Sequence, residues 1–364
     1  MKIFENFTDK YLEDFKFPGI KAEDSLLFDI ETTGFSPVNS RIYMIGCLYI
    51  KDSCFLSVQY FAEEKDDEII ILKLFNELLK KYKYLIHFNG NGFDIPFIVE
   101  KYKKYGLKNE LLNINSIDIF KDTICLKKIF KLPNHKQKTL EQFLGVVRDD
   151  EYSGGELINI YKDYLNNKND ENLRFLLLHN REDIEGLLRL SDLYPYVLFI
   201  NGDFEITSCE INEYKDIDGE IFKEAVFLLK LNTFLPVRVS AGYNEYYLLA
   251  CKDTCKVKVS IYTQELKYFY PNYKDYYYLP VEDTAIHKSV AFYVDKNFRT
   301  QAKAANCYSK KTGHFLPQYD EIIKPYFKIN YNDKKTYFEM TDEFLSNNFD
   351  IKAFIMNIIK KICK

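Results

Sequence analysis

Between residues 25 and 62 the apolar positions come in three short runs, "SLLFDIE", "RIYMIGCLYI" and "CFLSVQYFA". Short polar turns separate them, so the pattern predicts an antiparallel meander of three strands. The period then changes. In "DDEIIILKLFNELLKKYK", Ile70, Leu74, Phe75, Leu78 and Leu79 recur at helical spacing. A short strand "YLIHFN", a helix "DIPFIVEKYKKYG" closed by Gly106, and a fifth strand "INSIDIF" follow. Several helices come next, the last over "ENLRFLLLHNREDIEGLLRLSDLY". Helical crossovers between the later strands require parallel pairing. The expected fold is therefore α/β, a mixed five-stranded sheet flanked by helices.

The texture changes near "LYPYVLFINGDF". Beyond it, "VRVS", "EYYLLACKDTCKVKVSIY" and "ELKYFYPNYKDYYYLP" alternate apolar and polar residues, which predicts antiparallel hairpins. One helix is expected over "VEDTAIHKSVAFYVDKNF" and another at the C-terminus. At 364 residues the chain is too long for one ordinary core. Two domains are expected, residues 1–195 and a β-rich α+β domain over 196–364.

Composition narrows the partners. Hydrophobic residues make up 47% and charged residues 29%, a globular, soluble balance. A net charge of −4 gives no protein-wide field for a polyanion, so any such site is a local patch. The start lacks the apolar core of a signal peptide, and no apolar run is long enough to span a membrane. The eight cysteines are scattered, which suits a reducing compartment. A cytoplasmic protein with no membrane partner is expected. Cys251 and Cys255 of "CKDTC", with Cys307 and His314, offer a zinc set on paper. Structural zinc sites use tighter pairs, and a hairpin turn is expected at this stretch.

The chemistry starts at "LLFDIETTG". In a strand, Asp29 and Glu31 point to the same face. Two carboxylates side by side raise each other's pKa unless something positive lies between them. "IHFNGNGFDIPFI" ends a strand in a glycine-rich turn and opens a helix at Asp94, which suits either a helix cap or a functional carboxylate. In "LLLHNREDIEGLL", His179 and Asp183 are neighbours on one helix face, at the edge of a stripe of Leu176, Leu177, Ile184, Leu187 and Leu188. A structural ion pair would explain that pair equally well. Together, however, these segments can converge at one sheet edge. Four converging carboxylates need a cation, and their oxygens suit Mg²⁺ or Mn²⁺. Two such ions about 4 Å apart can serve phosphodiester hydrolysis.

These motifs carry a resemblance. "FDIETTG" resembles the first motif of the DEDD-type 3′–5′ exonucleases of the RNase H-like superfamily. "FNGNGFDIPF" resembles the second, as it appears in the proofreading domains of family B DNA polymerases, and "HNRED" falls where the third belongs. Residues 24–195 look like the free-standing bacterial family of predicted ribonuclease H-like exonucleases. The resemblance implies an RNase H-like domain with Asp29, Glu31, Asp94 and Asp183 as ligands of two Mg²⁺ or Mn²⁺ ions. It implies Thr32, Thr33 and Asn91 near the terminal nucleotide. It also implies that His179 orients or deprotonates the attacking water. In one subgroup a Tyr stands four residues before the last Asp, and in the other a His stands five before it. This chain has His at the tyrosine spacing.

Residues 284–316 hold Lys288, Lys296, Arg299, Lys303, Lys310 and Lys311 against a single acid, Asp295. Phe292, Tyr293, Phe298, Tyr308 and Phe315 interleave with them. Lysine and arginine neutralise phosphates and aromatic faces stack bases. A solvated face is the plainer explanation of such a run. The expected activity is a metal-dependent 3′–5′ exonuclease acting on single-stranded DNA or RNA, with a single strand or 3′ end as partner and the C-terminal domain holding or selecting the substrate. The alternatives are a structure-selective endonuclease of the same fold and a non-catalytic nucleic-acid-binding protein. The C-terminal domain could instead bind a protein partner.

Overall fold

The computed structural model describes residues 1–215 and 219–364. The chain divides into two compact units, Met1–Val197 and Leu198–Lys364.

The first unit is built on a six-stranded mixed sheet. Its strands are β1 (Lys2–Tyr11), β2 (Ser25–Thr32), β3 (Ile42–Lys51), β4 (Cys54–Phe61), β5 (Tyr84–His87) and β6 (Asn115–Asp118), in the spatial order β1-β4-β3-β2-β5-β6. β1 to β4 pair antiparallel, whereas β5 joins β2 and β6 in parallel. The expected five strands thus become six. β1 lies at the sheet edge, where only Phe4, Thr8 and Lys10 are even half-covered, so its sequence lacks the clear apolar alternation of a buried strand.

Helix α1 (Asp67–Leu79) crosses from β4 to β5, and α2 (Asp94–Tyr105) from β5 to β6. They cover one face of the sheet, where Phe28, Ile45, Leu72, Phe75, Phe97 and Tyr102 share one core. The apolar stripe of α1 is turned from its expected register. Ile71 and Leu72 are buried and Ile70 faces solvent, because three consecutive isoleucines leave the helical phase undetermined. Short helices α3 (Ile119–Thr123) and α4 (Lys127–Phe130) precede α5 (Gln137–Phe143), α6 (Gly154–Asn167), α7 (Asp170–Arg189) and α8 (Tyr194–Ile200). On the opposite face α6 and α7 pack Leu157, Tyr161, Leu173 and Leu176 against Tyr43, Met44 and Phe61.

The close approach of α7 to the sheet depends on a missing side chain. Gly46 on β3 pairs with Asp29 on one side and Gln59 on the other. A Cβ at Gly46 would collide with the amide of Asn180 on α7.

The second unit has its own six-stranded sheet and a small three-stranded one. β7 (Phe204–Lys215), β8 (Ile221–Tyr243) and β9 (Tyr246–Phe269) form a long antiparallel meander. β10 (Tyr276–Leu279), β11 (Thr284–His287) and β12 (Thr300–Gln301) make the small sheet. β13 (Tyr308–Gln318), β14 (Tyr326–Phe327) and β15 (Thr336–Glu339) complete the large one, in the order β14-β15-β13-β9-β8-β7. Helices α9 (Lys288–Ala291), α10 (Asp342–Ser346) and α11 (Asn348–Cys363) complete the unit.

Two expectations fail here. The helix expected over 281–298 shrinks to α9, because Thr284–His287 pair with β10 as a strand. "CKDTC" is not a hairpin turn. β9 runs through it, and the irregularity is absorbed by Lys252 at φ 56° and a jump in register against β8. Cys251, Cys255 and Cys307 are all free thiols, and with His314 they form no metal-binding cluster among the described residues.

Gly46→Ala tests the approach of α7. The added methyl must displace Asn180 from its seat, at a cost of about 1–3 kcal/mol for overpacking. Urea unfolding of the two proteins measures that loss.

Candidate metal centre

β2 delivers Asp29 half-buried and Glu31 buried, with Asp29 opposite Gly46 in the sheet. α2 delivers Asp94 from its first residue, 7% exposed. The residue before it, Phe93, makes no side-chain cap. Backbone N–H groups of Asp94 itself and of Ile30 on β2 turn the carboxylate towards the strand. α7 delivers His179, Asn180 and Asp183 from one turn.

The turn before Asp94 is set by backbone geometry. Asn89 takes a left-handed conformation at φ 58°, and its N–H donates to Asp118 Oδ1 at 2.8 Å. Gly90 presses on the His87 ring, where any Cβ would collide, and its N–H donates to Nδ1 at 3.0 Å. His87 Nε2 lies 2.8 Å from Ser116, whose hydroxyl donates to Asn91 Oδ1. Burial pushes His87 down to about 4, so this ring is a neutral structural part.

The four carboxylates feel one another. Burial pushes Asp29 well above the usual range, and the charges of Asp183, Asp94 and Glu31 push it further. Burial carries Glu31 up to about 7; Asp183, Asp94 and Asp150 add to the rise and His179 opposes it. Asp94 is also raised to about 7, by burial first and then by Asp183 and Asp118. Glu31, His179 and Asp183 offer ligand atoms all within 4.8 Å of one another. Such a crowd of oxygen donors, unable to ionise together, fits a hard divalent cation.

His179 is held from behind. Its Nδ1 lies 2.7 Å from Asp150 Oδ2, and its Nε2 lies 3.2 Å from Asp183 Oδ2 and 3.7 Å from Glu31 Oε1. Asp150 is itself anchored by Lys138 at 2.5 Å. Burial pushes the imidazole down, but the Asp150 hydrogen bond and the charges of Glu31 and Asp183 outweigh it and hold the ring up at about 9.

Some contacts escaped sequence reasoning. Asn180 donates to Asp29 Oδ2 at 3.2 Å and accepts from Gln59 at 3.0 Å, which fixes the amide's orientation. Arg148 donates to Asp183 Oδ1 at 2.6 Å. Phe35 stands 88% exposed in the turn after β2, its ring 6.3 Å from that of Phe93. The alternation Arg148-x-Asp150 in "VRDDE" was the only hint of the loop contacts.

The remaining residues expected at the site are placed less directly. The Thr32 hydroxyl donates to Gly34 O and the Thr33 hydroxyl accepts from the Arg41 N–H, both at 2.9 Å, so both shape the turn. In the second unit, Lys310 pairs with Asp283 at 2.6 Å and Lys311 with Glu339 at 2.5 Å. Lys288, Lys296, Arg299 and Lys303 have no ion-pair partner among the described residues. Arg299 lies over the Tyr277 ring at 4.9 Å, and Phe292 and Tyr293 are 77% and 87% exposed. No helix among the described residues is long and apolar enough to cross a membrane.

The crowding of carboxylates has a pH signature. Glu31 and Asp94 keep their protons up to about 7, whereas an unfolded chain releases them near about 4. The folded state therefore binds more protons across that window. The site's contribution to stability is fullest below about pH 4 and is lost as the pH rises through about 7. In EDTA, Asp29→Asn should raise the melting temperature at pH 8, and raise it less at pH 5. Mn²⁺ should stabilise the wild type at pH 8 more than the variant. A variant no more stable than wild type in EDTA at pH 8 contradicts the cluster's mutual repulsion.

Residues 26–194 match the family described as the RNase H superfamily. No curated protein matches the chain. Among solved structures, the family B DNA polymerase from the hyperthermophilic archaeon Pyrobaculum calidifontis is similar at 13% identity and TM-score 0.36. That likeness covers 67% of this chain and 33% of the polymerase. An Exonuclease I without ligand is similar at 9% identity and TM-score 0.34, over 57% of this chain and 56% of that one. E. coli Exonuclease I in complex with a dA16 oligonucleotide gives 9% identity and TM-score 0.33, over 58% and 55%. The chain thus spans about a third of the first of these proteins and about half of the others. Residues 26–194, the span of the RNase H superfamily match, thus form an RNase H-like domain, a mixed sheet flanked by helices.

Proposed function

We propose that the protein is a metal-dependent nuclease that removes nucleotides from the 3′ end of single-stranded DNA or RNA. The observation that carries this reading is the meeting of four carboxylates from β2, α2 and α7 with a histidine anchored on Asp150. Asp29, Glu31, Asp94 and Asp183 would hold two Mg²⁺ or Mn²⁺ ions. Divalent ions supply Lewis-acid activation of a phosphodiester and a nucleophilic water at neutral pH.

The chain's own residues supply the rest. Asp150 accepts a hydrogen bond from the Nδ1–H of His179, which leaves Nε2 as the atom that accepts a proton from the attacking water. Glu31 and Asp183 raise the imidazole while their charges are uncompensated. As ligands of a divalent cation they would be compensated by it, and His179 Nε2 would be freed to accept the proton. Phe35, exposed beside Phe93, offers a face for the terminal base. In the second domain, Lys288, Lys296, Arg299 and Lys303 lie among the exposed rings of Phe292, Tyr293 and Phe298 and would hold the strand. Lys310 and Lys311 contribute less, since each already neutralises an acid.

An end-labelled digestion panel of single- and double-stranded DNA and RNA, under Mg²⁺ and Mn²⁺, tests the activity. A ladder from the 3′ end supports the reading. A discrete internal cut would mean an endonuclease, and no product a binding protein.

His179→Ala should slow single-turnover cleavage by roughly 10²–10⁴. Asp150→Asn should reproduce much of that loss, because an amide can donate to Nδ1 and force the proton onto Nε2. Equal rates in both variants and wild type would return His179 to a structural role.

For the second domain, each phosphate contact on a single strand adds about −0.7 to the salt slope of binding. Replacing Lys288, Arg299 and Lys303 together by alanine should reduce the slope by up to about 2.1. Replacing Lys310 and Lys311 should change it less. An unchanged slope in the triple variant would leave a protein partner as that domain's role.

A further inference from the structure

Arg148 lies outside every motif that pointed to the site, yet its guanidinium touches Asp183. Its side chain is 8% exposed. Nε and Nη2 donate to the two oxygens of Glu141, and Nη1 donates to Asp183 Oδ1 at 2.6 Å. Asp183 Oδ2 is left beside His179 Nε2, on the side where Glu31 also presents a ligand atom. We propose that Arg148 is a positioning residue that occupies one oxygen of Asp183 and presents the other as the single ligand atom for the cation. The inference rests on the nuclease reading above.

The parts behind Arg148 are fixed in turn. Glu141 is 1% exposed, and its Oε1 also accepts from Gln137 Nε2 at 2.9 Å. It fits against α7 because residue 186 is glycine, and a Cβ there would collide with that oxygen. Gln137 donates a second bond to the backbone oxygen of Asp183 at 2.8 Å. The loop carrying Arg148 is tied to the same helix, since Glu182 accepts the N–H groups of Asp149 and Asp150 at 2.9 and 3.0 Å. A planar fork can grip two carboxylates in a fixed relation, which a single ammonium cannot do. If Arg148 served only to dock α5 on α7, its pair with Glu141 would suffice. The third donor instead enters the cluster, where its positive charge works against cation binding. Geometry is gained at the expense of affinity, and that opposition makes the role measurable.

Mn²⁺ binding, read by electron paramagnetic resonance of the free ion, is measured beside single-turnover cleavage. Arg148→Met should tighten Mn²⁺ binding by about tenfold or more, because a nearby positive charge is gone even at an effective dielectric near 20. The same variant should cleave about 10–100-fold more slowly, the usual effect of losing a group that orients a metal ligand. Arg148→Met combined with Glu141→Gln removes opposite charges together. It should bind Mn²⁺ close to wild type and remain slow. The double variant also avoids leaving Glu141 as an unpaired buried charge, so it carries the test if the single variant does not fold. Arg148→Lys keeps the charge without the fork and should fall between wild type and Arg148→Met in rate. A wild-type rate in the single and double variants overturns the inference, as does a slow rate accompanied by weaker Mn²⁺ binding in both. If the wild type neither binds Mn²⁺ nor cleaves, the nuclease reading falls and takes this one with it. If it does both and the variants match it, only the role of Arg148 falls.

Discussion

Like charges held close together under partial burial set the terms for the N-terminal domain. Asp29, Glu31 and Asp94 are all pushed up, chiefly by loss of water and then by neighbouring carboxylates, Asp183 first among them. A chain that only needed stability would place apolar side chains there, because an unpaired buried charge is costly. Instead the surrounding groups steady the carboxylates without neutralising all of them. An amide serves Asp29 and backbone N–H groups serve Asp94, while Asp183 faces Arg148 and His179, and Glu31 faces His179. The cluster is rigid before it is electrically balanced, the arrangement expected of a site completed by a cation.

That rigidity comes from one helical turn. His179, Asn180, Glu182 and Asp183 reach, in order, Asp150, Asp29, the loop amides of 149–150, and Arg148. No single turn could make all four contacts unless the helix sat close to the sheet and close to α5. Two glycines permit this, Gly46 on the strand side and Gly186 on the helix itself. Their conformations are not the reason for glycine at either place. What matters is that no Cβ fits between the elements.

The legible parts of this site are those with a local period. Asp29 and Glu31 share a strand face, and His179 and Asp183 share a helix face, so spacing alone brings each pair together. The elements that carry them were readable for the same reason. β1 was not, because an edge strand with one exposed face shows little apolar alternation. The helix expected over 281–298 failed because a segment rich in β-branched residues paired with β10. Arg148 and Asp150 were out of reach for a different reason. They sit in a loop with no periodic signal, and their partners Asp183 and His179 lie 35 and 29 residues away.

The second domain shows what a charge count along the chain leaves out. Six basic residues fall between 284 and 316, but their availability differs. Asp283 accepts from Tyr278 at 2.6 Å, from Tyr308 at 2.5 Å and from Lys310. Those donors hold its carboxyl well below the usual range, with Lys310 first among them. Lys310 is therefore part of the junction between β13 and the small sheet. Lys288, Lys296 and Lys303 are exposed, Arg299 is half-buried over the Tyr277 ring, and Phe292, Tyr293 and Phe298 of the same stretch are exposed. Exposed aromatic rings next to unpaired cations are poorly explained by core packing, since they remove almost no apolar area from water. They are well explained by a ligand that is both flat and anionic. That combination describes the bases and phosphates of a nucleic-acid strand, so the proposed strand-holding role rests on Lys288, Lys296, Arg299 and Lys303 rather than on the full basic run.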